Sequence, residues 1–141
     1  MLERPMSEIL IKAAGVARHY RLSEHRTLRA LDGVDLEIHR GATIGLVGES
    51  GSGKSTLGRT LVGLQKPTLG KVVFDGLDTA SPDRAALAKL RRQRQIIFQD
   101  PSSALNPRMT IGDTIVEHLR VQGWTRADAR ARAAEVIEQA G

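Results

Sequence analysis

Gly48-Glu49-Ser50-Gly51-Ser52-Gly53-Lys54-Ser55 sets glycines, a lysine and a hydroxyl at the spacing G-x-x-x-x-G-K-[ST], and Thr56 follows with a second hydroxyl. Glycines let a backbone curl so that consecutive N–H groups face inward, which makes a nest for phosphate oxygens. A lysine at the end of such a loop reaches the β and γ phosphates, and the next hydroxyl is a ligand for Mg²⁺. The residues therefore predict a nucleoside triphosphate held by Gly48, Glu49, Ser50, Gly51, Ser52, Gly53, Lys54, Ser55 and Thr56, with Ser55 on Mg²⁺ and Lys54 acting on the transferred phosphate.

Such a loop works only between a strand that delivers it and a helix whose N-terminus faces the anion. Thr43–Val47 has little polar alternation and predicts a strand buried on both faces, while Ser55–Leu64 has helical length and ends near Gly63. Upstream, Ile9–Ala13 and Val34–Ile38 predict strands, the second alternating Val34, Leu36 and Ile38 against Asp35 and Glu37. Downstream, Pro67 and Gly70 punctuate a connection into a strand at Lys71–Asp75, and Ser81-Pro82 predicts the start of a helix reaching about Arg92. Gln95–Phe98 is short and apolar and predicts a buried strand; Asp100–Pro107 is loop chemistry. Thr110 with Asp113, and Thr125 with Asp128, predict two further helix starts, a shortened relative of the capping box, and Trp124 is expected to pack the helical part.

The totals are those of an ordinary globular chain: 141 residues, 40% hydrophobic, 26% charged. With no cysteine, disulfide frameworks and thiolate metal sites are excluded, and a reducing cytoplasm fits. The net charge of +5 is spread along the chain and its one cluster, Lys89–Arg94, lies in a helical pattern; with 3% aromatics no stacking platform for single strands exists, so no nucleic-acid partner is expected. The opening MLERPMSEILIKAAG does not read as a signal peptide, and no apolar run approaches the roughly 20 residues that cross a bilayer.

Further residues narrow the class. Gly48–Thr56 reads GESGSGKST and runs on as LGRTLVGLQKPTLGKVVFDG, which resembles the ATP-binding subunits of ABC transporters. The resemblance implies ATP and Mg²⁺ as cofactors. It implies that Gln99, in Gln95-Ile96-Ile97-Phe98-Gln99-Asp100-Pro101, reaches toward Mg²⁺ and the attacking water, a role a neutral amide can fill. It also implies that Tyr20, the only tyrosine, stacks on adenine. Ser102–Gly112 is similar to the oligopeptide and dipeptide importers in particular, which implies transmembrane permease subunits, a second ATPase subunit and, indirectly, an extracytoplasmic solute-binding protein as partners, with the chain peripheral on the inner face of the cell membrane. The fold expected is an α/β P-loop NTPase core, incomplete, with an antiparallel β part; residues 1–98 form the β subdomain and P-loop core, and residues 99–141 the Q-loop and the start of a helical subdomain.

The resemblance covers about Ile9 to Gly141, and the family's ATPase is longer. An LSGGQ-like signature, an apolar strand ending in Asp-Glu and a switch histidine are not found, while Asp75 and Asp100 sit in the wrong contexts to replace them. The expectation is a truncated chain in which the parallel sheet lacks strands and Thr43–Val47 exposes an apolar face. A nucleotide-binding module without turnover, or another P-loop NTPase such as a small kinase, stays open as an alternative.

Overall fold

A computed structural model describes residues 8–80, 83–100 and 105–141. Two compact units divide the chain, Met1–Gln95 and Ile96–Gly141.

The first unit is built on strands β1 (Ile9–Arg21), β2 (Thr27–His39), β3 (Leu69–Phe74) and β4 (Leu77–Asp78), in the order β2-β1-β3-β4 with every pair antiparallel. Alternation makes this sheet one-sided. Val16 and Val72 are fully buried, Ile11, Ala13 and Phe74 lie beside them, and Val34, Leu36 and Ile38 of β2 pack at the margin. Helix α1 (Lys54–Leu61) lays Leu57 and Leu61 on this face, and α2 (Arg84–Gln93) adds the fully buried Leu90.

Both long strands run well past their predicted ends because β1 absorbs register shifts. One lies between Ala13 and Val16, where the Gly15 N–H donates to the Asp35 carboxylate at 2.8 Å. Gly70 of β3 crosses this bulge with φ +76°, and a Cβ there would lie 2.2 Å from the Gly15 carbonyl oxygen. The close approach thus requires glycine.

Two expected strands are absent. Residues 43–47 form no strand, with Ile44 and Leu46 about half exposed and Val47 95% exposed. Residues 95–98 likewise form no strand, and Ile97 is 94% exposed. Apolar composition alone does not make a strand: its N–H and C=O groups need neighbours, and among the described residues all pairing is antiparallel. The expected exposure of an apolar face at Thr43–Val47 is what the structure shows. The helix start expected at Ser81-Pro82 lies outside the described residues; the cap seen is Asp83, whose carboxylate accepts the Ala85 N–H at 2.9 Å.

The second unit contains helices α3 (Ile111–Val121) and α4 (Arg126–Ala140), and α4 turns the small, buried Ala129 and Ala133 inward one helical turn apart. Each begins as expected. Thr110 Oγ1 accepts the Asp113 N–H at 3.0 Å and donates to Asp113 Oδ2 at 2.7 Å, and Thr125 does the same with Asp128 at 3.2 and 2.6 Å. Trp124 is exposed rather than packed inside. Thr110→Ala is expected to lower stability by about 1 kcal/mol, since a donor of the first turn loses its acceptor. The loss should appear in the urea midpoint of the helical far-ultraviolet signal; an unchanged midpoint would show that water replaces the cap.

Candidate nucleotide-binding site

Helix α1 begins unlike the other three. Helices α2, α3 and α4 start on side-chain caps, and α3 and α4 also carry an acid in the first turn. Helix α1 has glycine, Gly53, at its N-cap, no side-chain cap bond and no acid in its first turn, where Lys54 stands instead. A cation at the positive end of a helix is unfavourable until an anion joins it. Among the four helices described, this is the one whose start carries neither a side-chain cap nor an acid.

The loop before it is shaped by Gly51 and Gly53, at φ +81° and +92°. Gly53 fits against β2 so closely that a Cβ would sit 2.4 Å from the Ala30 carbonyl oxygen. Inside the loop the Ser52 N–H donates to the Glu49 carbonyl at 3.2 Å. The Lys54 ammonium folds back across it, donating to the Gly48 carbonyl at 2.6 Å, the Glu49 carbonyl at 2.5 Å and Ser52 Oγ at 3.2 Å. The charge is therefore held over the mouth of the loop rather than free in solvent. Ser50 and Ser55 are exposed, and Thr56 is half-buried with its carbonyl accepting Thr60 Oγ1 at 2.7 Å.

Mg²⁺ in such sites takes one or two protein oxygens, several waters and the phosphates. The exposed Ser55 hydroxyl, on the first turn beside Lys54, fits that sparse donor set.

Tyr20, at the end of β1, is half-buried and donates its hydroxyl to Gln65 Oε1 at 3.0 Å. The Arg18 guanidinium lies over its ring, 4.8 Å from the centroid. The phenol is more acidic than an ordinary tyrosine, mainly through the hydrogen bond of Arg18; burial opposes the shift, and the Thr56 hydroxyl assists it. Gln99 belongs to the second unit, where it is exposed in a bend.

Arg18 and Gln65 escaped the sequence reading. The signal for Arg18 was available, because residues two apart on a strand share a face. None existed for Gln65, which lies 45 residues away.

The family model for "ABC transporter" matches residues 31–141. A putative peptide import ATP-binding protein of Brucella ovis is 46% identical over 131 residues, 92% of this chain and 41% of that protein. A second, from Brucella abortus, is 46% identical over 142 residues, 95% of this chain and 42% of its own length. Among solved structures, the dimeric post-hydrolysis state of the ATP-binding cassette MJ0796 bound to ADP and Pi aligns with a TM-score of 0.74 at 31% identity, covering 91% of this chain and 56% of that one. The cbiO1 protein of Clostridium perfringens, part of the ABC transporter complex cbiONQ, aligns with a TM-score of 0.66 at 26% identity over 94% and 50%. The chain thus spans under half the length of the curated relatives it matches. No helix of the described residues is long and apolar enough to cross a membrane.

Proposed function

The chain belongs to the ABC transporter family, and on that premise we propose that it binds MgATP, with the triphosphate in Gly48–Thr56 and the adenine on Tyr20. The observation that carries this is the uncapped start of α1, where two left-handed glycines and the folded-back Lys54 await an anion. In this reading Lys54 meets the β and γ phosphates and Ser55 ligates Mg²⁺, while for Gln99 a role toward the ion and the attacking water rests on the family resemblance alone.

For the whole protein the proposal extends to ATP hydrolysis that energises uptake of peptides. The string Ser102–Gly112 and the peptide import proteins among the relatives support that substrate class. Hydrolysis would occur between two ATPase subunits, each completing the other's site, on the inner face of the cell membrane against permease subunits fed by a solute-binding protein. Residues 1–98 would supply the nucleotide grip and residues 99–141 the contact with the permease.

Calorimetric titration of the chain with MgATP tests the binding. Tyr20→Ala is expected to weaken ATP by about 1–3 kcal/mol, the worth of one base–aromatic stack. Binding of Mg-tripolyphosphate, which has no base, should be unchanged. Equal ATP affinity in the variant would show that Tyr20 only packs.

A further inference from the structure

We propose that Arg18 is a positioning residue for the base: its guanidinium closes one face of the Tyr20 ring, so that a nucleotide base stacks on the opposite face alone. This rests on the reading that Tyr20 receives the base.

The geometry begins in β1. Arg18 and Tyr20 are two residues apart on one strand and so project to the same side, which brings the guanidinium carbon to 4.8 Å from the ring centroid. A cation at that distance over an aromatic face is held by the ring quadrupole. One backbone bond holds it there, and one donor is left without an oxygen. Arg18 Nη1 donates to the Lys66 carbonyl at 3.1 Å, and Arg18 Nε is buried with no hydrogen-bond partner among the described residues. A buried donor without an oxygen acceptor is costly, and the π face beside it is the surface that meets the guanidinium.

The ring is tied at its other end by the same segment. Tyr20 donates to Gln65 Oε1 at 3.0 Å, the Thr68 N–H donates to the Ala17 carbonyl at 2.8 Å, and the His19 N–H donates to Thr68 Oγ1 at 3.0 Å. Residues 65–68 are the chain leaving α1, whose opposite end forms the phosphate site. One short helix therefore references both the base platform and the phosphate loop. A ring fixed in this way before the ligand arrives spares the ordering cost that a free tyrosine would incur on stacking.

The experiment compares Arg18→Leu, Arg18→Lys and Tyr20→Ala with the unmodified chain, using MgATP and Mg-tripolyphosphate as ligands. Arg18→Leu is expected to weaken MgATP about fivefold and to leave tripolyphosphate unchanged, with Arg18→Lys in between. Because Tyr20 is the only tyrosine, ultraviolet titration reads it directly, and its midpoint should rise toward the ordinary tyrosine value in Arg18→Leu. An equal loss for both ligands would make Arg18 a structural residue and overturn the proposal, as would an unchanged ATP affinity. If Tyr20→Ala leaves ATP binding intact, the base-platform reading itself falls; if Tyr20→Ala weakens ATP and Arg18→Leu does not, only the role of Arg18 falls. Should Arg18→Leu fail to fold, Arg18→Lys decides, since it keeps the aliphatic stem and charge but loses the planar stack: its ATP loss must exceed its tripolyphosphate loss.

Discussion

Lys54→Ala is expected to lower the affinity for MgATP by about 10- to 100-fold, the worth of one charge-assisted hydrogen bond to phosphate. The same variant should be no less stable than the parent chain without ligand. The two expectations come from one geometry. Lys54 stands in the first turn of α1, at the positive end of the helix, and its bonds to Gly48, Glu49 and Ser52 are made at an exposed loop. Exposed bonds of this kind contribute little, and removing a cation from a helix N-terminus relieves repulsion of about 0.3–1 kcal/mol. On the proposed reading the lysine is thus an element the fold tolerates and the ligand requires. Calorimetry with MgATP, paired with urea unfolding in its absence, reads both halves. Retained affinity would remove the phosphate assignment, whereas a large stability loss would mean that Lys54 holds the loop rather than the ligand.

The elements legible in the sequence are those that depend on local spacing. The glycine-rich turn into α1 is written in eight consecutive residues, and the starts of α3 and α4 in Thr110 with Asp113 and Thr125 with Asp128, so each could be read without knowing any distant neighbour. The segments at 43–47 and 95–98 were misread for the complementary reason. Their apolar content shows a tendency to be buried, but burial needs partner strands, and no local pattern reports whether those are present. Tyr20 falls between these cases. The resemblance singled it out as the residue for adenine, but its strand was predicted to end at Ala13, and the loop at 65–68 that bonds its hydroxyl is brought there by the pairing of β1 with β3, Ala17 standing opposite Leu69. In the proposed site the phosphate end is thus a local device and the base end a tertiary one.

A glycine series in the phosphate loop is expected to separate these contributions, with stability falling in the order Gly48→Ala, Gly51→Ala, Gly53→Ala. At Gly48 an added Cβ meets only the Ser52 hydroxyl, at 2.8 Å, which can rotate away. The loss should stay within about 0.5 kcal/mol, as for most exposed changes. Gly51 has open space around it but φ +81°, so alanine incurs the left-handed penalty of about 1–2 kcal/mol and nothing more. Gly53 combines φ +92° with a backbone oxygen, that of Ala30, 2.4 Å from the added carbon. The carbonyl belongs to β2, where Ala30 sits at a register shift between the paired Arg29 and Leu31, so its backbone has little room to yield and an overpacking cost of about 1–3 kcal/mol adds to the backbone penalty. Gly53→Ala should therefore lose about 2–5 kcal/mol by urea unfolding. MgATP binding should fall with it, because relief of the clash shifts the start of α1 away from β2 and moves the N–H groups meant for phosphate. A Gly53→Ala chain as stable as Gly51→Ala would show that the loop is not seated on Ala30 as described, and the shape of the phosphate nest would then have to be argued anew.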